Sequence, residues 1–231
     1  LPALKDRKGR QVQESKTGFY PHAGMLSTFH YVRRYPTTAT NVNRLRARMY
    51  YQHFLGVDVM ALAPRVSDAA AILDEYEVPT MEANDCVVCH KTVDPVAGLF
   101  QDFNDEGQFG PRKEGWHTDM FGPGLEGEEL PQSERWRALQ WLGERTAKDP
   151  RFATAMVEHV WYILFGRRVL KAPQDIDDPL FGPRRRAYQA QRALIEQVAR
   201  QFADANYNLK MVFKSLAAYK FYRADGEAIV G

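Results

Sequence analysis

Cysteine is scarce in this chain, with two among 231 residues, Cys86 and Cys89. That excludes a scaffold stapled by several disulfides, so the core must be held by packing. No run approaches the ~20 consecutive apolar residues that a membrane-spanning helix requires. No signal peptide is visible, and the chain opens Leu1-Pro2-Ala3 without an initiator methionine. A processed product or a piece of a longer polypeptide is therefore expected. Neither sign of charge dominates: 31 basic against 29 acidic side chains leave a net charge of +2, so no nucleic-acid partner is expected. The basic clusters Arg167-Arg168 and Arg184-Arg185-Arg186 read as solvated helix ends. Internal repeats and low-complexity segments are absent.

What is present describes a packed, mainly α chain. The apolar fraction of 45% is that of a globular protein. Residues 1–19 are polar and broken by Gly and Thr-Gly, and read as an extended arm. Residues 20–36 hold aromatics between Pro21 and Pro36 and read as an irregular packed segment. Helical spacing of Val42, Leu45, Met49, His53 and Phe54 predicts a helix over 41–55, capped by Thr40 and closed by Gly56. A short helix is expected over 67–77 behind Ser67. Residues 104–131, rich in glycine, form a long loop of the kind that tends to carry function.

Further helices are expected over 134–147, from Asp149-Pro150 to Gly166, over 184–204, and over 209–221 behind the cap Asn208. The organisation expected is an arm over 1–19, a haem-binding domain over 20–131, and a C-terminal helical domain over 132–231 packed on it.

Cys86-Val87-Val88-Cys89-His90 carries the chemistry. It reads C-x-x-C-H, the attachment signature of c-type haem. Two cysteines three apart share one side of a helical turn, so both sulfurs can reach one porphyrin edge. The adjacent imidazole can then bind iron. A redox-active C-x-x-C would suit a strand-rich βαβ setting, which the flanks lack. Structural zinc needs four ligands, and no second pair follows at suitable spacing. With two cysteines and six histidines placed at random, the pattern arises roughly two times in ten thousand. One covalent haem c is expected, on Cys86 and Cys89, with His90 as proximal iron ligand.

Cys86 to His90, followed by Asp94-Pro95, Phe103, Gly107 and Phe109, resembles the C-x-x-C-H-x-x-M-D-P-L-G-F run of planctomycete-type cytochrome c proteins. Gly24 to Ser27, Arg44 to Gly56, Phe152 to Arg168 and Tyr207 to Arg223 are similar to further segments of that family. Val93 stands where the family often has methionine, and Val96-Ala97-Gly98 replaces its Leu-Gly-Phe. The resemblance implies a cytochrome c-like helical haem domain followed by a helical bundle with long irregular loops. It also implies export, and either truncation or reliance on partner subunits.

The second axial ligand decides the work of such an iron. Met120, in the glycine-rich loop thirty residues beyond His90, is the first candidate; His30 and His117 are the alternatives, and Met25 is weaker. His22, His53 and His159 read as structural, and most of Trp116, Trp136, Trp141 and Trp161 as core.

One-electron transfer is the function expected, with redox partner proteins and a place in a larger exported assembly. The alternative is a haem enzyme or gas- or peroxide-binding protein with an open sixth position, where His117 beside Arg112, Lys113 and Glu114 would act as distal acid and base. Thioether attachment takes place outside the cytoplasmic membrane, so a periplasmic or outer-surface bacterial location is expected.

Overall fold

A computed structural model describes residues 22–62, 76–110, 117–219 and 222. The expected arm over 1–19, nearly all of the expected helix over 67–77, and Arg112 to Trp116 lie outside the described residues. The chain is mainly helical and divides into two units, 1–53 with 57–148, and 54–56 with 149–231. The division falls at 148/149, later than the 131/132 boundary expected from sequence. The helix of residues 138–146 belongs to the first unit. It is tied there by Tyr50 Oη against Thr146 Oγ1 at 2.7 Å and by Gln140 Nε2 donating to the His22 carbonyl at 2.9 Å.

In the first unit, α1 spans Phe29–Arg34 and starts at Thr28, whose hydroxyl accepts from the Tyr31 amide. Helix α2 spans Arg44–Tyr50 and runs on as a π turn over Tyr51–Leu55. Gly56, at φ +67°, closes it, and the Val57 amide reaches back to the Tyr51 carbonyl at 3.0 Å. The closure at Gly56 agrees with the sequence expectation; the start and the buried face do not. Asn43, in the left-handed region at φ +67°, precedes the helix in place of Thr40, whose hydroxyl pairs instead with that of Thr38.

The residues of this segment that face the core are Asn43, Arg46, Ala47, Tyr50, Tyr51 and Leu55; Val42, Leu45, Met49, His53 and Phe54 are half-buried. The reason is Arg46, which is fully buried. Its Nε donates to the Tyr35 carbonyl (2.8 Å), Nη1 to Asn43 Oδ1 and the Phe103 carbonyl (both 2.8 Å), and Nη2 to the Val32 and Asn104 carbonyls (2.9 and 2.7 Å). All five N–H groups are used, so a charge that hydropathy would place outside is stable inside. Burial pulls this guanidinium down to about 10, and it stays charged at neutral pH.

Helix α3 spans Pro79–Glu82 and leads directly into α4, Asn84–Leu99, which carries the C-x-x-C-H motif. A proline after Asp94 would be expected to end the helical turn that carries His90, but Pro95 lies inside the helix, which continues to Leu99. Proline removes one amide donor and crowds the carbonyl four residues back, here that of exposed Lys91. It also disfavours helical geometry at the preceding residue. Contacts outside the helix to Asp94, described below, hold that residue. Val96, Ala97 and Phe100 are fully buried, which anchors the C-terminal half.

From Phe103 to residue 131 the described residues contain a bridge between Phe103 and Phe109 and a hairpin of two-residue strands, β1 Gly124–Leu125 against β2 Glu128–Glu129. Glu126 and Gly127, both at positive φ, make its turn. A Cβ at Gly124 would stand 2.2 Å from the Glu128 carbonyl oxygen, so only glycine fits there. A 3-10 turn over Gln132–Arg137 then leads into α5, Ala138–Thr146.

The second unit is a helical bundle. Helix α6 spans Pro150–Phe165, with Asp149 Oδ1 accepting from the Arg151 amide at 2.8 Å, Pro150 at the first position, and Gly166 at φ +66° as its stop. These are the bounds its punctuation predicts. Helix α7 spans Phe181–Asp204 and α8 spans Leu209–Ala218, the latter capped by Asn208. Starting α7 three residues before the expected 184 is permitted because Pro183 sits in its first turn, where amides have no intrahelical partner. Val157, Val160 and Trp161 of α6, Ile195, Val198 and Phe202 of α7, and Val212 and Leu216 of α8 form its core.

Candidate functional site

The site grows from one helical turn in the first unit. Cys86, Cys89 and His90 lie in the first half of α4, all partly exposed. Both cysteines are free thiols. Cys89 Sγ points at the Val59 carbonyl, 3.5 Å away, in the 3-10 turn Val59–Ala61. Burial pushes the Cys89 thiol up, and repulsion from Cys86 adds to it. Among the described residues no three of His, Cys, Asp and Glu gather as a cation site.

His90 is held from behind. Its Nδ1 lies 3.0 Å from Asp94 Oδ1, one turn along α4. Asp94 is fully buried and receives Arg44 of α2 as well, Nε to Oδ1 at 2.7 Å and Nη2 to Oδ2 at 3.3 Å. Burial pushes the Asp94 carboxyl up, but the hydrogen bonds from His90 and Arg44 outweigh it and hold the group below the usual carboxylate range. An ionised carboxylate only accepts, so Nδ1 donates and carries the imidazole hydrogen. The Nε2 lone pair is then available to a metal.

This trio is what the sequence reading missed. A carboxylate four residues after a histidine on the same helix was a visible signal; its partner fifty residues upstream was not.

Apolar side chains open to solvent follow the Val59 carbonyl that Cys89 meets: Met60 and Leu62 are 59% and 46% exposed. Apolar surface concentrated around reactive groups is what a large flat apolar ligand would cover. Two thiols on one side of a turn, an imidazole with its lone pair free and an apolar rim together fit a porphyrin attached through thioethers.

The three further candidates are placed differently. Met120 is buried, at 3% exposure. One neighbour in its loop, Asp119, accepts from Thr80 Oγ1 of α3 through its carbonyl at 3.3 Å, and strand β1, which follows, packs on α4. The loop bearing Met120 is thus fastened to the motif helix and the helix before it. His117, three residues earlier, is half-buried. His30 lies on the exposed side of α1, its ring edge-on to Phe29 at 6.1 Å. Met25 is 64% exposed. Of the tryptophans, Trp141 and Trp161 are buried, the latter stacked on Phe165 at 4.0 Å, whereas Trp136 is exposed. His53 Nε2 lies 2.9 Å from Tyr35 Oη.

No family model, no curated protein and no solved structure matches this chain.

Proposed function

We propose that this chain is a monohaem c-type cytochrome and an electron carrier, related to the planctomycete-type proteins that its motif resembles. In this reading Cys86 and Cys89 hold haem c as thioethers and His90 binds the iron through Nε2. The observation that carries it is the state of that one turn: two free thiols and an imidazole whose Nδ1 is tied to Asp94 while Nε2 has no protein partner among the described residues.

When bound, the haem would supply a one-electron couple. The protein's part is to hold, orient and shield. Asp94 and Arg44 fix the ring plane and tautomer of His90. Met60 and Leu62 offer apolar surface that a porphyrin would cover, keeping water away. The Met120 loop, fastened through Thr80, is the first source of a sixth ligand, with His117 and His30 as alternatives. Partners in this reading are redox proteins or other subunits of an exported assembly, outside the bacterial cytoplasmic membrane. No described helix is long and apolar enough to cross a membrane.

The test is the intact chain expressed with a haem-attachment pathway. Its mass is expected to exceed that of the polypeptide by one haem, and the pigment is expected to remain after acid extraction and unfolding. A polypeptide of unmodified mass, or a pigment lost on unfolding, overturns the proposal. Optical spectra then separate the two uses: low-spin iron in both redox states supports electron transfer. High-spin ferric iron with rapid carbon monoxide binding supports an open sixth position.

A further inference from the structure

We propose that Asp94, gripped by Arg44, is a positioning residue for the iron that makes His90 a strongly donating ligand and lowers the reduction potential. The inference rests on the haem reading above and specifies what the motif alone does not, the partner of the ligand's second nitrogen.

The geometry carries it. In a ligating histidine the ring nitrogen away from the metal donates to a neighbouring acceptor, and the strength of that acceptor sets the basicity of the nitrogen on the metal. A neutral peptide carbonyl draws weakly on the N–H hydrogen, and an ionised carboxylate draws strongly. Here the acceptor is Asp94 Oδ1 at 3.0 Å, on a side chain with no exposure to solvent. Water does not screen it, so its pull on Nδ1–H acts in a low local dielectric.

Electron density passed to Nε2 stabilises ferric over ferrous iron. Arg44 has two effects: its two hydrogen bonds make the buried carboxylate affordable, and they share its charge and so moderate its pull. Pro95 also contributes. It disfavours helical geometry at Asp94, yet Asp94 remains helical because both partners grip it.

The experiment uses the holoprotein and two variants, Asp94→Asn and Arg44→Gln. Covalent haem content and helical circular dichroism are recorded first, so that an unfolded variant is recognised. Asp94→Asn keeps the shape but gives Nδ1 a neutral acceptor. Its ferric-to-ferrous preference is expected to fall by about tenfold, a rise in potential of about 59 mV for one electron. Arg44→Gln frees the carboxylate from its guanidinium and is expected to move the potential the other way.

A charge acting only through space would shift the potential too, so a second readout is needed. The iron–histidine stretch of the ferrous haem, recorded by resonance Raman just after photodissociating carbon monoxide, is expected at lower frequency in Asp94→Asn and at higher frequency in Arg44→Gln. Unchanged stretches in folded, haem-bearing variants overturn the inference and leave the cytochrome reading standing. A wild-type chain without covalent haem overturns both.

Discussion

Arg46 is the residue whose loss the first unit should tolerate least. It is fully buried, and its five N–H groups meet four peptide carbonyls and the Asn43 side chain, joining α1, α2 and the turn at Phe103-Asn104. Arg46→Met fills much of the volume but offers no donor. Each acceptor stranded in a dry site costs about 1–3 kcal/mol. Some will be recovered by water entering the space, so the net loss is about 3–5 kcal/mol, the range for breaking a buried charged network. Arg46→Lys keeps the charge but has three donors for five acceptors, and should fall between Met and wild type.

The assay is hydrogen exchange of backbone amides in α1, α2 and residues 103–107, followed by mass spectrometry at constant pH. With 1.4 kcal/mol per tenfold, protection should drop by two to four powers of ten in the Met variant. The amides of α6 and α7, in the other unit, serve as the reference. If Arg46→Met leaves protection in α1 and α2 within tenfold of wild type, water or carbonyl rearrangement replaces the guanidinium and the reasoning fails.

Other consequences are more local. Gly166 at φ +66° ends α6, so Gly166→Ala should lower the stability of the second unit by about 1–2 kcal/mol in urea unfolding. Glu158 has its carboxyl raised by burial, against the attraction of Arg192. Its folded form therefore binds a proton more tightly than the unfolded chain, and this group's contribution to stability, full at low pH, is lost as pH rises from the ordinary glutamate range through the raised value. Glu158→Gln should flatten that part of the stability-against-pH curve, and an unchanged curve would refute the assignment. Thr146 Oγ1 donates to the Leu142 carbonyl at 2.7 Å, so Tyr50 Oη is the donor to Thr146, and Tyr50→Phe should cost about 1 kcal/mol by thermal unfolding. In the holoprotein Met120→Ala should abolish any sulfur-to-iron absorption band near the red edge, and a band that persists assigns the sixth ligand elsewhere.

Much of this protein is written in short-range order. The spacing of Cys86, Cys89 and His90 sets three donors on one turn because the helical period alone requires it. Asp149, Pro150, Gly166 and Asn208 delimit α6 and begin α8 because caps act through backbone groups two or three residues away. Hydropathy fails where a distant partner changes a residue's character. Arg46 lies inside α2 because carbonyls eleven to fifty-eight residues away accept from it, which turns the buried face away from Leu45 and Met49. Pro95 continues a helix it ought to end, and Asp94 becomes the acceptor behind His90, because Arg44 arrives from fifty residues upstream. Local periodicity and capping read from the chain alone; the pairing of charges across it exists only once the fold has excluded the water that would otherwise satisfy them.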